Sequence, residues 1–428
     1  MTRIIYSLDP GPPAQAVLRL VRKPRIMRLA AALACMLALQ SYLFVLGSGS
    51  DIGGQGRGRP MKVSVLDTKM GLFGADISPD GRFVAVDATK GTLKGGGLDL
   101  AEEVQIWDLR GTKMVARKIL ATEWLADPNA YGRGERFVRY SLKDNKLVIC
   151  RNGHLQIFDS ETLELIRDVD LGMEHWPKFP ANSVANSYVA DVEIDENAHR
   201  AAILLAWGPY GGGELRAYDL TSGEQLRQWP FEKVGFPGRG PISIDPAGRR
   251  IAIAVLPFSP GERRLRADEH NIFLLEIDSG KVISSINTGY ISGAICFAPN
   301  DTVLSVSLNP EVKRFARDTL KVWNAETGKL IRELPSEPEG VHDSLHLSAD
   351  GLIALGYVGL EKRVGDSNVT LYQRFRLWDL STGNVIATSP DLLPMEEGGP
   401  RLRLSAAGNL VLVYPVGNAD PLRLYQIH

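Results

Sequence analysis

Side chains able to bind a metal ion or transfer a proton are few and dispersed in this 428-residue chain. His342 and His346 are four residues apart, but in a β-strand that spacing separates them by about 13 Å, too far to share one metal ion. Asp76, Glu193 and Asp343 are the acidic residues that fall where a hydrolytic site would need them, at the ends of short strands. They form no recognisable catalytic set.

Sequence motifs of known catalytic sites are also absent. The chain has no G-x-S-x-G, H-E-x-x-H or P-loop motif, and it has no paired cysteines of metal-binding type. Cys150 and Cys296 fall within strand-like apolar segments and are interpreted as small buried hydrophobic residues. We therefore expect a non-catalytic protein without catalytic, metal-binding or cofactor-binding residues and without a cofactor.

The most regular pattern is a short strand that ends in an aromatic residue and an acid, followed by a tight turn. In the clearest copy, Phe375 and Leu377 alternate with Arg376, and Trp378-Asp379 leads into a turn that ends at Gly383. The unit recurs at intervals of about 50 residues. Its anchor residues are Trp107, Asp108, Asp159, Asp219, Asp278, Trp323, Asn324, Trp378, Asp379 and Gln426.

A second strand–turn–strand precedes each copy, as in the turn Ser78–Gly81. Each unit therefore contains four strands, a to d, and seven such units in sequence predict an all-β fold, a seven-bladed β-propeller. The alternative, a large β-sandwich, does not require a repeated aromatic and turn motif. Because seven equivalent anchors around a ring cannot converge on one substrate, we expect the anchors to be structural.

An isolated strand at Met61–Thr68 precedes the first unit, and the last unit ends after its third strand. The extra strand at the start and the missing fourth strand at the end are both explained if residues 61–67 form the outer strand of the last blade. The propeller domain is therefore predicted to span residues 61–428 and to close by a hydrogen-bonded seam between its two ends.

The chain resembles WD40-type propellers, which have Trp-Asp dipeptides like Trp107-Asp108 and Trp378-Asp379. It is also similar to bacterial YVTN-type and TolB-like propellers, which share its S-P-D-G turn and its D-x-x-T-G turn. The Gly-His dipeptide that precedes strand a in WD40 repeats is missing, with Gly340-Val341-His342 the nearest equivalent. The Asp–His–Ser–Trp hydrogen-bond network that the resemblance implies is therefore not expected here.

The N-terminal region differs from the repeats. Residues 1–28 form a basic tail, Leu29 to Leu46 is an uncharged run of 18 residues, and residues 47–60 are a Gly/Ser-rich linker. The run predicts a single membrane-spanning helix, with the N-terminus in the cytoplasm and the propeller outside, in the periplasm or extracellular space. The alternative is a cleaved signal peptide and a secreted propeller, with Met27 as a second candidate start.

Long connections b–c and d–a are expected to share one face of the ring, and loops on a rigid scaffold are where binding usually occurs. Aromatic and arginine side chains in them suit a protein interface. The candidate partner-binding residues are Trp124, Trp176, Phe179, Phe258, Arg264, Arg314 and Arg363. The connections are Thr89–Glu103, Thr122–Glu135, Asp170–Ser187, Leu256–His270, Leu308–Asp318, Gly359–Gln373 and Thr388–Pro400.

The charge balance, 49 basic against 50 acidic residues, gives no electrostatic basis for nucleic-acid binding. The sequence thus predicts a non-catalytic interaction scaffold, membrane-tethered or exported, that binds a protein partner through its long loops. The alternative is a propeller enzyme of lactonase or hydrolase type, acting at the central channel with Asp76, Glu193 and Asp343.

Overall fold

The computed structural model describes residues 61–68, 70–94, 97–125, 136–151, 153–172, 187–207, 212–231, 241–255, 271–289, 291–308, 319–334, 341–364, 367–390, 393–394, 401–415 and 421–428. The tail, apolar segment and linker expected in residues 1–60 lie outside these ranges. In the ranges themselves, no helix has the length and apolar character needed to cross a bilayer.

The described strands form seven antiparallel sheets, the blades of a β-propeller. The strands of the first two blades are β2 (Gly71–Ile77), β3 (Phe83–Lys94), β4 (Gly97–Asp108) and β5 (Lys113–Leu125), then β6 (Phe137–Tyr140), β7 (Lys146–Arg151), β8 (His154–Asp159) and β9 (Leu165–Asp170). The next two comprise β10 (Ser187–Ile194), β11 (Arg200–Trp207), β12 (Gly213–Asp219) and β13 (Gln225–Phe231), then β14 (Ile242–Ile244), β15 (Arg250–Ala254), β16 (Ile272–Glu276) and β17 (Val282–Ile286).

The remaining blades follow the same order. The fifth contains β18 (Ile291–Ala298), β19 (Thr302–Leu308), β20 (Thr319–Asn324) and β21 (Leu330–Leu334). The sixth contains β22 (Val341–Leu347), β23 (Ile353–Val364), β24 (Ser367–Asp379), β25 (Val385–Thr388) and the short β26 (Leu393–Pro394). The seventh contains β27 (Arg401–Leu404), β28 (Leu410–Tyr414), β29 (Leu422–Ile427) and β1 (Met61–Leu66). The first strand of each blade contacts its counterparts in the neighbouring blades, so the a strands surround the centre.

The ring closes through β1, which pairs antiparallel with β29 as the outer strand of the seventh blade. Met61 lies opposite Ile427 and Leu66 opposite Leu422. Leu66 is 1% exposed and packs in the apolar cluster that joins the seventh blade to the first, whereas its neighbour Val65 is 54% exposed. The N-terminal strand thus has the position expected from the sequence.

In the first, second, third and sixth blades, the acid of the anchor pair organises the turn between strands c and d. The Asp219 carboxylate accepts the backbone N–H groups of Thr221 and Ser222, each at 2.8 Å, and these bonds lower the pKa of Asp219 despite a smaller opposing effect of burial. The preceding aromatic packs between blades, as Trp378 does at 2% exposure. These anchor side chains therefore stabilise the turns and the packing between blades.

The fourth blade departs from the expected alignment. Glu276, not Asp278, lies opposite the first residue of strand b, in the register that Asp219 has in the third blade. The Glu276 carbonyl also accepts the Gly280 N–H at 2.8 Å, as the Asp219 carbonyl accepts that of Gly223. The anchor of the fourth blade is therefore Glu276, two residues before the predicted Asp278. The Asp278 carboxylate instead forms an ion pair with Arg200 of the neighbouring blade at 2.9 Å.

The a–b and c–d turns form one face of the ring, which we call the turn face, and successive blades are bonded together there. Arg167 donates to the Ser222 carbonyl at 3.0 Å, and Arg332 donates to the Ser381 carbonyl at 3.1 Å. Each bond joins an outer strand to the c–d turn of the next blade. Because these turn carbonyls are occupied within the ring, the turn face is a rigid structural surface.

Two glycines with positive φ allow the packing of the turn face to be tested: Gly328 lies in the c–d turn of the fifth blade, and Gly289 lies in a d–a connection on the opposite face. Gly328 (φ 66°) lies where an added Cβ would come 2.5 Å from the Ser285 carbonyl oxygen, whereas Gly289 (φ 79°) has no atom within 4 Å of that position. We expect Gly289→Ala to cost about 1 kcal/mol of unfolding free energy through left-handed strain alone. Gly328→Ala adds a clash and is expected to cost about 3 kcal/mol. Urea unfolding of both variants measures the difference, and equal losses would contradict the packing.

The opposite face, the long-connection face, carries two extensions of the sheets. In the first blade, β3 and β4 pair over twelve residues, out to Lys94 opposite Gly97, and β5 follows as far as Leu125. In the sixth blade, β23 and β24 pair out to Val364 opposite Ser367, with β26 along their edge. The equivalent pairing in the third blade has seven residue pairs. At 3.3 Å per residue, the extra five residues add about 17 Å to each sheet.

These extensions correct the prediction of long loops at Thr89–Glu103 and Gly359–Gln373. Both segments are strands, paired out to Lys94 opposite Gly97 and to Val364 opposite Ser367. The first part of Thr122–Glu135 is likewise strand, to Leu125. The b–c register is continuous in the first blade and shifts once in the sixth, between Leu360 and Glu361, and the ladder hydrogen bonds extend beyond the ring in both. We name the two features the blade-1 extension (89–103 with 119–125) and the blade-6 extension (358–373 with 393–394). They flank the seventh blade.

Candidate functional site

The inner strands of all seven blades line a central cavity of about 240 Å³. At one level of this channel, each blade contributes the residue that lies two positions before its a–b turn. All seven of these side chains are polar or titratable, and all line the cavity. We call them the channel ring: Asp76, Arg139, Glu193, Ser243, Cys296, His346 and Arg403.

One half of the channel ring is charged. Its signs alternate across the seventh, first, second and third blades as Arg403, Asp76, Arg139 and Glu193. Arg139 Nη2 lies 2.8 Å from Glu193 Oε1 and 3.7 Å from Oδ1 of Asp191, which lies two residues before Glu193 on β10. Arg403 Nε lies 3.9 Å from Asp76 Oδ1.

Burial shifts the acid–base behaviour of these groups. Desolvation raises the pKa of Asp76, although Arg403, Arg139 and two backbone N–H groups oppose the shift. Burial, assisted by Glu193, raises the pKa of Asp191 to about 7, and Arg139 partly offsets this. Burial alone would lower the pKa of Arg139, but its acidic neighbours outweigh that effect, and its pKa is raised. The arginine therefore stays charged between the two carboxylates.

The other half of the ring is uncharged. Burial raises the pKa of the Cys296 thiol to about 12, so the thiol is protonated at neutral pH. Burial and the nearby arginines lower the pKa of His346 well below its ordinary value, so its imidazole is neutral. Ser243 Oγ accepts the Phe297 backbone N–H of the next blade at 3.0 Å. Three blades thus present neutral polar groups to the cavity.

Some ring side chains also join neighbouring blades. Asp76 Oδ2 accepts the Tyr140 N–H at 2.8 Å, and its Oδ1 accepts the Ile77 N–H at 3.0 Å. This bonding resembles that of Ser243. The inner strands do not pair with one another in the sheets, so these bonds satisfy backbone donors that face the channel. The ring therefore has a structural role as well as lining a cavity.

Of the acidic residues considered for a hydrolytic site, the structure describes the side chains of two. Asp76 and Glu193 both line the cavity, whereas Asp343 and His342 lie in β22 with only their backbone described. Within the described ranges, no group of three His, Cys, Asp or Glu side chains is arranged to hold a metal ion. Arg139 and Arg403 belong to the cavity but were not singled out from the sequence, and His346 was considered there only as a metal ligand. Their shared position before the a–b turn was the signal that could have identified them.

A second buried set of charges fixes the base of the blade-1 extension. Thr89 and Glu102 face each other across β3 and β4 where the extension begins. Arg136, from the second blade, donates to Thr89 Oγ1 at 2.9 Å, pairs with Glu102 and lies 3.5 Å from Asp87 Oδ1. Arg151 Nη1 lies 2.9 Å from Glu102 Oε2. The arginine and carboxylate side chains of this cluster are at most 7% exposed.

Two of the candidate partner-binding residues, Trp124 and Arg363, lie in the extensions of the long-connection face. The backbone of Trp124 lies in the blade-1 extension opposite Asp99, and that of Arg363 lies in the blade-6 extension opposite Asn368. The structure does not describe the side chains of these two residues. The other candidates, Trp176, Phe179, Phe258, Arg264 and Arg314, lie outside the described residues.

Comparison of the sequence with models of protein families gives no match, and comparison with curated protein sequences also gives none.

Proposed function

We propose that this protein is a non-catalytic interaction scaffold that binds a partner protein through the long-connection face of its propeller. The observation that carries the proposal is the asymmetry between the two faces. The turn face consists of tight turns whose carbonyls are bonded to neighbouring blades. The opposite face has two sheet extensions that flank the seventh blade.

The extensions suit partner binding for a physical reason. Each is a paired sheet, and the blade-1 extension is fixed at its base by the buried bonds of Arg136. A rigid binding element loses little conformational entropy when a partner binds. The edges and faces of such sheets also offer binding surfaces to a partner chain. Partner binding is therefore favoured on this face over the turn face.

The channel supports a catalytic function less well. Its best-placed carboxylates, Glu193 and Asp191, share Arg139, and Asp76 accepts two backbone N–H groups. These carboxylates therefore neutralise Arg139 or bond backbone N–H groups, and this leaves them poorly placed to act on a substrate. The lactonase or hydrolase alternative would gain support if the purified protein carried Ca²⁺ or Zn²⁺.

Two further features belong to this proposal. A WD40-like ancestry is supported by Trp323, whose indole donates to Ser305 Oγ at 2.8 Å, as in the Trp–Ser part of the network typical of that family. Tethering to a membrane, or export, is supported by the uncharged run Leu29 to Leu46 after a basic tail. N-terminal sequencing of the mature protein distinguishes an anchor from a cleaved signal peptide.

The test of partner binding is to shorten the extensions within the full chain. Residues 91–100 are replaced by Asn-Gly between the paired Lys90 and Ala101, and residues 362–369 by Asn-Gly between the paired Glu361 and Thr370. The ring is expected to keep its melting temperature, while a partner recovered by cross-linking to the wild-type protein is lost. Retention of that partner at wild-type yield would contradict the proposal.

A further inference from the structure

The two arginines of the channel ring differ in how well their charge is compensated. Arg139 Nη2 lies 2.8 Å from Glu193 and 3.7 Å from Asp191. Among the described residues, the one carboxylate within 4 Å of Arg403 is that of Asp76, whose Oδ1 lies 3.9 Å from Nε. Within the described residues, that Nε donates no hydrogen bond although it is buried. Arg403, with a side chain that is 11% exposed, is therefore a largely buried cation with an incomplete set of acceptors.

The remaining contacts of Arg403 do not supply a negative charge. Nη1 lies 3.2 Å from His346 Nε2 and 3.3 Å from the Leu402 carbonyl oxygen. Arginine can only donate, so His346 accepts through Nε2 and is neutral. Asp76, the nearest anion, already accepts backbone N–H groups through both of its oxygens. Burial and the like charge of Arg139 accordingly lower the pKa of Arg403.

The cavity next to Arg403 has two chemically different sides. Its volume of about 240 Å³ exceeds the roughly 150 Å³ of an engineered protein cavity that accommodates benzene. On the side of Ser243, Cys296 and His346 the ring is neutral, and Ile244, Leu345 and Leu402 add apolar surface. On the other side, Asp76, Glu193 and Asp191 would repel a multiply charged anion. The lining therefore selects for one negative charge attached to a small, mostly apolar body.

We propose that the central channel binds a small organic monocarboxylate, with its carboxylate paired to Arg403 beside His346 and its apolar end directed toward Ser243 and Cys296. The ligand completes the bonding of a cation that the ring leaves partly satisfied. Arg403 determines the preference for an anion, and the acids of the ring restrict that anion to a single charge. This site is separate from the long-connection face, and it requires no catalysis and no partner protein.

The test uses butyrate as the probe and the full-length protein, with saturation-transfer NMR and thermal unfolding as readouts. Butyrate is expected to receive saturation, most strongly at its methyl end, and to raise the melting temperature. Butyramide has the same shape without the charge and is expected to bind at least tenfold more weakly, as are butylammonium and sulfate.

Substitution tests the assignment to Arg403. Arg403→Gln is expected to weaken butyrate binding at least tenfold. Arg82→Gln, which removes an arginine paired with Asp108 on the turn face, is expected to leave it unchanged. Equal binding of butyrate and butyramide to the wild-type protein would overturn the proposal, even if Arg403→Gln fails to fold. It is also overturned if a folded Arg403→Gln binds butyrate as tightly as the wild-type protein.

Discussion

Substitution of Leu66 by aspartate is expected to destabilise the ring by at least about 4 kcal/mol, because it replaces a buried apolar contact with an unpaired carboxylate. Leu66 is 1% exposed and lies where the closing strand meets the first blade. The matched change Val65→Asp, at a side chain 54% exposed on the same strand, is expected to cost less than about 1 kcal/mol.

Chemical unfolding of the two variants measures this difference, and light scattering gives their state of association. An opened ring exposes the edge of β29, which can pair with the closing strand of another chain. Deletion of Met61–Thr68 is therefore expected to unfold the ring or to produce polymers. A monomeric deletion variant with the wild-type melting temperature would show that the seam does not hold the ring together.

Replacement of Arg136 by methionine is expected to lower the unfolding free energy by about 3–5 kcal/mol at pH 7.5, since removal of one member of a buried ion pair leaves charges without compensation. Arg136 holds Asp87, Glu102 and Thr89 together at the base of the blade-1 extension. Arg117→Met is the matched control. Its side chain is 54% exposed and 3.6 Å from Glu103, so its loss is expected to cost less than about 1 kcal/mol.

The cost of Arg136→Met should depend on pH with a definite sign. Burial raises the pKa of Asp87 to about 6 in the folded protein, an effect that Arg136 and Arg151 oppose. A raised carboxyl pKa means that the folded state binds the proton more tightly, so this group's contribution to stability falls as pH rises from about 4 to about 6. Because protonated Asp87 no longer needs Arg136, the variant should lose less stability at pH 5 than at pH 7.5.

Urea unfolding at both pH values measures this dependence. The double variant Asp87→Asn/Arg136→Met should recover part of the loss at pH 7.5, because the uncompensated carboxylate is gone. A loss for Arg136→Met that is the same at pH 5 and pH 7.5 would mean that Asp87 is not the group left uncompensated.

The blade number and the closing strand could be predicted because they depend on local chemistry that repeats. An acid that accepts turn N–H groups and an aromatic before it mark strand c in most blades, so periodic spacing reveals the ring. The same method misplaced the fourth anchor because Asp278-Ser279-Gly280 resembles a turn start. The fixed distance of four residues from the anchor to the turn glycine identifies Glu276 instead.

The extensions and the channel ring were harder to predict, for different reasons. The segment around Lys94 and Gly97 is rich in glycine, which is typical of a loop, although Lys94 and Gly97 are here the last pair of a long antiparallel ladder. Each member of the channel ring comes from a different blade, so Arg139, His346 and Arg403 become neighbours only when the ring closes. No local pattern reports such a contact, although alignment on the a–b turns places the three at one level.

Site-specific photo-cross-linking of the full chain in its native cells tests the central claim most directly. A photoreactive residue is placed at Lys94 or Asn368 on the extensions, and at the exposed Glu161 or Lys329 on the turn face. We expect a discrete cross-linked partner from the two extension positions and none from the two turn positions. Cross-links of equal yield from both faces, or only from the turn face, would contradict a scaffold that binds through its long-connection face.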